Sequence, residues 1–255
     1  MRVFVDVSFR SLPTVNNVGV SHEIPADFVD TSPEELANII NVNVTATLRI
    51  TSLIAPAMAS RYAPSLLVLW RHVAHITALS SKKGLILNMG SFAGAAPTPM
   101  LAVYSGSKAF LRTWSDALSA ELAPKGVVVE HANTYYVVRP YLIPPLSLSF
   151  PSLAPPPLSA LVKCDGLTTS SVVWQTSAMS KIRRASLFVP TPKAFVRVVL
   201  SKLAPGNIAP YWTHALFGAV MGLAPPNVVL RYTHSHLKDT RRRALAKQAK
   251  LAKQE

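Results

Sequence analysis

The sequence predicts an α/β fold in which helices cover both faces of a doubly wound parallel sheet. Two compact apolar runs, residues 84–88 and 127–129, are typical of strands buried on both faces. One helical pattern precedes the first run, and another, from residue 104 to about 122, separates the two. Helix and strand patterns that alternate in this way predict parallel strands joined by crossover helices.

The composition excludes several classes of protein. With 255 residues, 49% of them hydrophobic, the chain is long and apolar enough to bury a core and is not intrinsically disordered. Cys164 is the only cysteine, so neither a disulfide framework nor a Cys-based metal site is expected. Residues 1–13 do not have the uninterrupted apolar segment of a signal peptide.

The formal net charge is +14, and part of it lies in the C-terminal tail. From Lys238 onward there are seven Lys or Arg residues against Asp239 and Glu255. Such a tail is either a solvated helix or a segment that contacts an anionic membrane face. Neither zinc-finger spacing nor aromatic residues interleaved with basic ones is present, so we do not expect a nucleic-acid partner.

The first strand signals lie near the N-terminus. Residues 3–7 alternate weakly and predict a strand. Residues 15–20 contain Asn16-Asn17-Val18-Gly19, which is typical of a strand end that runs into a turn.

A long helix is predicted from Ser32 to about residue 58. Ser32 is a good cap, Pro33 fits the first helical position, and Glu35 is expected to complete a capping box. The polar Asn43 lies on the predicted buried stripe, which otherwise consists of Ile39, Ala46, Ile50, Leu53 and Ala57. Because a buried amide must find partners, Asn43 is either a hydrogen-bonded structural residue or part of a site.

The second half of the chain repeats the alternation. The helix over residues 104–122 should pack through Leu111, Trp114, Leu118 and Leu122, and Pro124-Lys125-Gly126 should end it. Residues 192–203 predict another helix. Residues 208–223 are apolar, and a core helix, a membrane-surface helix and a membrane span all remain open.

Two segments do not fit this pattern, residues 63–81 and about 138–175. The second contains seven prolines between residues 140 and 157, which exclude a membrane helix. Loops of this length are uncommon inside a compact domain. One hypothesis is that both segments are translated intron sequence; the alternative is that they are lineage-specific loops.

Ser91, Tyr104 and Lys108 carry the predicted chemistry. Tyr104 and Lys108 lie one helical turn apart on the same face, and Ser91 follows a buried strand at the end where doubly wound sheets place their ligands. A neighbouring ammonium is expected to lower the pKa of Tyr104, which would make it a general acid for a carbonyl oxygen. Ser91 is expected to donate a hydrogen bond to the same oxygen.

These residues resemble the short-chain dehydrogenase/reductase family in order and spacing, as do Asn16-Asn17-Val18-Gly19 and Asn43. The resemblance implies a Rossmann-like fold in which Tyr104 is the acid/base, Ser91 positions the carbonyl, and Lys108 binds the nicotinamide ribose and tunes Tyr104. It also implies that Asn43 holds a water in the proton relay. It assigns the cofactor site to Asn16, Asn17, Gly19, Tyr104, Lys108 and, by a hydroxyl that faces the nicotinamide amide, Ser177.

Longer stretches resemble the fungal 3-oxoacyl-CoA reductases of fatty acid elongation, namely residues 16–25, 89–109, 177–184 and 190–203. That resemblance implies NADPH-dependent reduction of a long-chain 3-oxoacyl-CoA to the 3-hydroxyacyl-CoA at the endoplasmic reticulum membrane, beside other elongation enzymes. Animal relatives are also described as steroid 17-beta dehydrogenases, so a steroid substrate remains open.

The chain departs from this family at its front, because no Gly-rich pyrophosphate turn precedes Asn16. We therefore expect an N-terminally truncated reductase domain over residues 1–203, interrupted by foreign segments at about 63–81 and 138–175. Residues 204–255 are expected to form an apolar helix and a basic tail. The alternative function is that of a catalytically incompetent fragment or mis-spliced product, at most a membrane- or partner-binding protein.

Overall fold

The computed structural model describes residues 13–60, 84–138, 185–203 and 205–254, and within them four parallel strands form one sheet. The strands lie in the order β1-β2-β3-β4 and comprise Thr14–Asn16, Gly84–Met89, Val127–Ala132 and Gly206–Ile208. The two predicted central strands are confirmed as β2 and β3, with Ile86 paired to Val129. The strand predicted over residues 3–7 lies outside the described residues.

Helices pack on both faces of this sheet, so the predicted doubly wound α/β fold is confirmed. On one face Ile86 packs with Met58 and Leu122. On the other face Leu87 packs with Phe195 and Val199. The described helices are α1 Pro33–Ile40, α2 Ala46–Ser60, α3 Ala102–Leu122, α4 Pro192–Ser201, α5 Trp212–Leu223 and α6 Pro226–Leu251.

The helix start at Ser32 is confirmed, but the capping box is not. Ser32 Oγ accepts a hydrogen bond from Glu35 N at 3.2 Å, and Pro33 occupies the first helical position. The Glu35 carboxylate does not turn back to Ser32. Its Oε1 accepts instead from Glu23 N at 3.0 Å, because the incoming loop brings that amide to the same point.

A π-helical turn, Asn41–Thr45, separates α1 from α2 and changes which side chains α2 buries. The predicted stripe was wrong in this part, since Ile50 and Leu53 are 45% and 63% exposed. A π-turn inserts one extra residue, so the buried positions after it move by one. The side chains that pack inward are accordingly Thr47, Thr51, Ile54 and Met58.

The inner face of α3 is formed largely by serines, which the apolar pattern did not predict. Leu111 and Leu122 are buried as expected, whereas Trp114 is only half-buried. Ser115 and Ser119 are buried beside them. Small side chains allow α3 to lie close to the sheet. The helix ends as predicted, because Gly126 adopts a left-handed conformation with φ of 73°.

The C-terminal region packs against the rest of the chain. The sheet continues past the predicted division at residues 203/204, since Ala132 of β3 pairs with Ile208 of β4. The division itself stays a prediction. The predicted apolar segment splits, with Ile208 in a strand and α5 beginning at Trp212. The basic tail is the helix α6, whose buried stripe consists of Val229, Thr233, Leu237 and Ala244.

One stretch within the described residues, Pro33–Ser60, is long and apolar enough to cross a membrane by length and composition alone. Its middle residue Asn43 is fully buried and hydrogen-bonded to Ser107 of α3. This helix pair therefore packs as part of the α/β domain.

The residues that flank the two undescribed internal segments are in contact. Val138 N donates a hydrogen bond to Pro190 O at 3.0 Å. A Cβ placed on Gly84 would lie 3.0 Å from Met58 Sδ, near the end of α2. The described parts on either side of residues 61–83 and 139–184 thus belong to one folded unit. The segments predicted to be foreign lie almost wholly outside the described residues.

Candidate active site

The structure brings Ser91, Tyr104 and Lys108 together around one cavity of about 220 Å³. Ser91 follows β2, while Tyr104 and Lys108 lie one turn apart on α3. The cavity opens where parallel strands end, which is where this type of sheet binds ligands. Asn17 and Gly19, which follow β1, also line it.

Ser91 is held beside Tyr104 by the short 3-10 turn Phe92–Gly94. Ser91 Oγ accepts a hydrogen bond from Ala93 N at 3.3 Å and so caps this turn, and its side chain lies close enough to Tyr104 to lower the pKa of the phenol in part. The turn lies directly against α3, because a Cβ on Gly94 would be 2.6 Å from the Lys108 carbonyl carbon. A side chain at position 94 would therefore push Ser91 away from the tyrosine.

The expected lowering of the Tyr104 pKa was wrong for this structure. Burial raises the pKa of Tyr104 above its ordinary value of 10.0, and the hydrogen bond from Ser91 opposes this only in part. Burial prevails because a phenolate loses more hydration energy than one neutral hydroxyl returns. Tyr104 is consequently protonated at neutral pH, which is the form that a proton donor needs.

Lys108 is a buried ammonium. It is 5% exposed, and burial lowers its pKa from 10.5 to about 8. Lys108 Nζ donates a hydrogen bond to Met89 O at 3.0 Å, at the end of β2. A Cβ on Gly19 would lie 3.3 Å from this nitrogen, so the loop after β1 packs against it. An ammonium has three donors, and the cavity gives the remaining ones access to a ligand.

Asn43 joins the loop after β1 to α3. Asn43 Oδ1 accepts from Val20 N at 2.8 Å, and Nδ2 donates to Val20 O and Ser107 Oγ, both at 2.9 Å. Ser107 Oγ in turn donates to Tyr104 O at 2.7 Å. The buried amide thus fixes the helix turn that carries Tyr104. Its Oδ1 and Nδ2 contacts are those of a structural asparagine, and its predicted role in a water relay stays a prediction.

Replacing Asn43 with alanine is expected to lower the free energy of unfolding by about 1–3 kcal/mol, because buried polar groups of Val20 and Ser107 lose their partner. Urea denaturation followed by circular dichroism would measure this. Asn38→Ala, at an exposed position of α1, is the matched control and should change stability by less than about 0.5 kcal/mol. Equal effects of the two substitutions would contradict the role assigned to the Asn43 contacts.

A second asparagine network, which the sequence did not reveal, lies beside the site. Asn16 Nδ2 donates to Asn88 Oδ1 at 2.7 Å, and Asn88 Nδ2 donates to Ser115 Oγ at 2.9 Å. Asn16 is therefore directed at α3 and the sheet, while its neighbour Asn17 lines the cavity. The available signal was Asn88 itself, a polar residue at the end of the apolar run Leu85-Ile86-Leu87.

The remaining cavity wall comes from residues that sequence reasoning did not place there. Tyr135 and Tyr136 follow β3, and α5 and α6 add Phe217, Tyr232, Thr233, His236 and Leu237. Nothing in the local pattern of the C-terminal helices indicates that they close a cavity. Leu237 packs in one cluster with Met100 and Leu101, to which Tyr104 also belongs.

The described residues fit the nicotinamide end of a dinucleotide. Lys108 supplies buried donors, and the missing side chain of Gly19 lets the loop after β1 lie against the Lys108 ammonium. Asn17, Tyr104 and Ser91 line the same space. Ser177, the remaining predicted cofactor residue, lies outside the described residues.

Comparison with known proteins shows the family to which the chain is related. The short chain dehydrogenase family profile matches residues 11–141, just over half of the chain. The very-long-chain 3-oxoacyl-CoA reductase of Coprinopsis cinerea is 40% identical over 250 residues, and that of Laccaria bicolor is 39% identical over 252 residues. Each alignment covers 94% of this chain and 57% of the relative. The chain therefore spans a little over half the length of these relatives.

A solved structure overlaps the chain over a smaller part. The 3-ketoacyl-(acyl-carrier-protein) reductase from Brucella melitensis, complexed with NADH, is 29% identical with a TM-score of 0.38. The alignment covers 48% of this chain and 44% of the Brucella reductase. The profile match, the parallel sheet and the joint position of Ser91, Tyr104 and Lys108 agree with one another, and the chain belongs to the short-chain dehydrogenase family.

Proposed function

We propose that this protein reduces the 3-oxo group of a long-chain 3-oxoacyl-CoA to a hydroxyl, as a step of very-long-chain fatty acid elongation. One observation carries the proposal. Ser91, Tyr104 and Lys108 line one cavity, in which the Ser91 hydroxyl is near enough to Tyr104 to act on the pKa of its phenol. Two neutral hydroxyls that converge on one point can bind and protonate a carbonyl oxygen.

The roles follow from the protonation states. Tyr104, kept neutral by burial, gives its proton to the carbonyl oxygen as negative charge develops there. Ser91 donates a hydrogen bond to the same oxygen and holds the carbonyl against Tyr104. Lys108 places a positive charge one turn from Tyr104, and Asn43 positions the helix turn through Ser107. We propose that Asn43 also orders a water on the path that returns a proton to Tyr104.

The hydride donor is proposed to be NADPH, which would supply the hydride, and with it both electrons of the reduction, while Tyr104 supplies the proton. Lys108 would bind its nicotinamide ribose, and Asn17 and Gly19 would contact the cofactor from the loop after β1. Asn16 would support the cofactor site indirectly, through its hydrogen bond to Asn88. Ser177 is proposed to face the nicotinamide amide.

The acyl-CoA substrate class is supported by the names of the relatives and by the character of the cavity wall. Phe92, Leu101, Phe217 and Leu237 give one part of the wall an apolar surface. Apolar walls with a few placed hydroxyls suit a substrate that combines a hydrocarbon chain with reactive carbonyls. A steroid ketone would suit such a wall as well, so chain length and ring systems have to be compared directly.

We propose that the protein works at the endoplasmic reticulum membrane beside other elongation enzymes. On α5, Trp212, Leu216, Val220 and Leu223 are all more than half exposed and recur at helical spacing. A helix of 12 residues is about 18 Å long, which is too short to span the hydrocarbon core. An interfacial position on the bilayer, helped by the basic α6, fits this geometry.

The same surface supports a second candidate function, a membrane- or partner-binding protein without catalysis. In the division that we propose, residues 1–203 carry the chemistry, and residues 204–255 close the cavity and contact the membrane. The second candidate function requires that residues 204–255 bind a membrane or a partner while residues 1–203 catalyse no reaction. Vesicle binding without reductase activity would favour it.

The decisive experiment incubates the purified full chain with a long-chain 3-oxoacyl-CoA and NADPH, and follows nicotinamide oxidation and the 3-hydroxyacyl product by mass spectrometry. Product that forms with NADPH, and more slowly with NADH, is the expected result. A steroid ketone serves as the competing substrate. No product with either cofactor from a protein of native circular dichroism would contradict the proposed activity.

A further inference from the structure

The Tyr136 hydroxyl belongs to the same cavity as Ser91 and Tyr104. Tyr136 follows β3 by four residues, is half-buried and lines this cavity. Burial raises the pKa of Tyr136, and the neighbouring tyrosines 104 and 232 raise it further. Tyr136 is therefore a neutral hydrogen-bond donor over the physiological range, on the side of the cavity formed by the C-terminal helix α6.

The Tyr136 side chain contacts its sequence neighbour Tyr135 and, from a distant part of the chain, His236. Its ring packs edge-on against Tyr135, with ring centroids 4.5 Å apart. Its hydroxyl oxygen lies 3.5 Å from His236 Nε2 on α6, and the His236 ring is parallel to that of Tyr232. A contact of 3.5 Å is a weak hydrogen bond, and with the proton on His236 Nε2 the tyrosine oxygen accepts it, which leaves the Tyr136 O–H to donate to a ligand.

Other hydroxyls in the same lining are already engaged with the backbone. Thr98 Oγ1 donates to Ala96 O at 2.9 Å, and Thr134 Oγ1 donates to Gly90 O at 2.7 Å. Thr233 Oγ1 has three carbonyl acceptors within 3.2 Å. Among the hydroxyl side chains of the described lining, Tyr136 is thus one whose O–H is not engaged in a strong hydrogen bond.

The proposed substrate needs a second donor. A 3-oxoacyl thioester has two carbonyl groups separated by one methylene, whereas Ser91 and Tyr104 converge on a single oxygen. A carbonyl oxygen that is taken out of water without a donor weakens binding by about tenfold or more. His236 and Tyr232 are exposed, so Tyr136 lies between the reacting pair and the cavity mouth, through which the bulky CoA would extend.

We propose that Tyr136, oriented by His236, donates a hydrogen bond to the thioester carbonyl and so selects 3-oxoacyl thioesters over simple ketones. This inference rests on the proposed function, since it assigns a specificity-determining residue to that same reaction. Tyr136 takes no part in proton transfer. Its contribution falls on the thioester group and is absent for a ketone that lacks one.

The test compares Tyr136→Phe with the unaltered full chain on two substrates, a long-chain 3-oxoacyl-CoA and a 2-alkanone of matched chain length. We expect kcat/KM for the thioester to fall about 10–100-fold, and kcat/KM for the ketone to change by less than about threefold. His236→Phe should give a smaller loss on the thioester alone, which His236→Gln recovers. Tyr211→Phe, outside the cavity, is the control for removing a hydroxyl.

Two results would overturn the inference. If Tyr136→Phe slows both substrates equally, or neither of them, Tyr136 does not read the thioester, while the proposed reduction stands. If the unaltered protein reduces the ketone but not the thioester, the proposed function fails together with this inference.

Discussion

Replacing Tyr104 with phenylalanine is expected to lower kcat/KM for carbonyl reduction by about 10²–10⁴-fold, the range that general acid catalysis contributes. Phenylalanine keeps the ring that packs with Met100, Leu101 and Leu237 and removes only the hydroxyl. The fold should therefore survive. Initial rates of nicotinamide oxidation with a 3-oxoacyl-CoA would measure the loss.

Ser91→Ala is the matched comparison for this variant. It removes the hydroxyl beside Tyr104 but leaves the proton donor, so its loss should be smaller, near the 10²–10³-fold cost of one oxyanion donor. Cofactor affinity, followed by nicotinamide fluorescence, should fall far less than kcat/KM in Tyr104→Phe, because Lys108, Asn17 and Gly19 still line the site. Retained activity in this variant would refute its assignment as the acid.

The joint position of Ser91, Tyr104 and Lys108 could be predicted because its geometry is local. Tyr104 and Lys108 share a helix face through their spacing alone, and Ser91 follows a strand whose apolar run is unmistakable. The parallel order of the sheet follows from the same alternation of helix and strand. These features need no knowledge of which distant residues meet.

The buried face of α2 could not be predicted, because it depends on contacts made elsewhere. The π-turn at Asn41–Thr45 places Asn43 between Val20 and Ser107, residues 23 and 64 positions away. Periodicity with 3.6 residues per turn assumes an unbroken helix. The predicted buried stripe of α2 is therefore displaced by one residue, so that Ile50 was predicted where Thr51 is buried.

The pKa of Tyr104 shows a similar limit. Sequence spacing indicates that an ammonium lies near the phenol, but not that both are enclosed. Burial raises the pKa of Tyr104, although the sequence predicts that it is lowered, and burial also lowers the pKa of Lys108. That enclosure comes partly from α5 and α6, whose place over the cavity is decided by tertiary packing and by no local motif.

Replacing Lys108 with methionine is expected to separate stability from activity. Activity should fall by about 10²–10³-fold, because a charge that acts on the reacting groups is lost. Stability at pH 7 should rise, since folding no longer buries an ammonium whose pKa is about 8 in the folded protein and 10.5 when exposed. This pKa difference corresponds to a gain of about 3 kcal/mol in the free energy of unfolding. About 1 kcal/mol of the gain is lost again, because the Met89 carbonyl is left without its partner.

The sign of the pH dependence provides the control. Between pH 8 and 10.5 the unfolded chain holds a proton on Lys108 that the folded chain has released, so the stability of the unaltered protein rises with pH in this window. Above about pH 10 the tyrosines whose pKa is raised by burial act in the opposite sense, because the folded chain then keeps protons that the unfolded chain loses.

The buried histidines do not disturb this measurement. Burial lowers the pKa of His22, His131 and His214 below 6.5, so their contribution to stability is lost only as the pH falls through that value. The free energy of unfolding, measured by urea denaturation from pH 7 to 10, should therefore rise by about 2–3 kcal/mol in the unaltered protein and stay level in Lys108→Met. A parallel rise in both proteins would mean that Lys108 is solvated, and its ammonium would then not be the buried charge on which the proposed site depends.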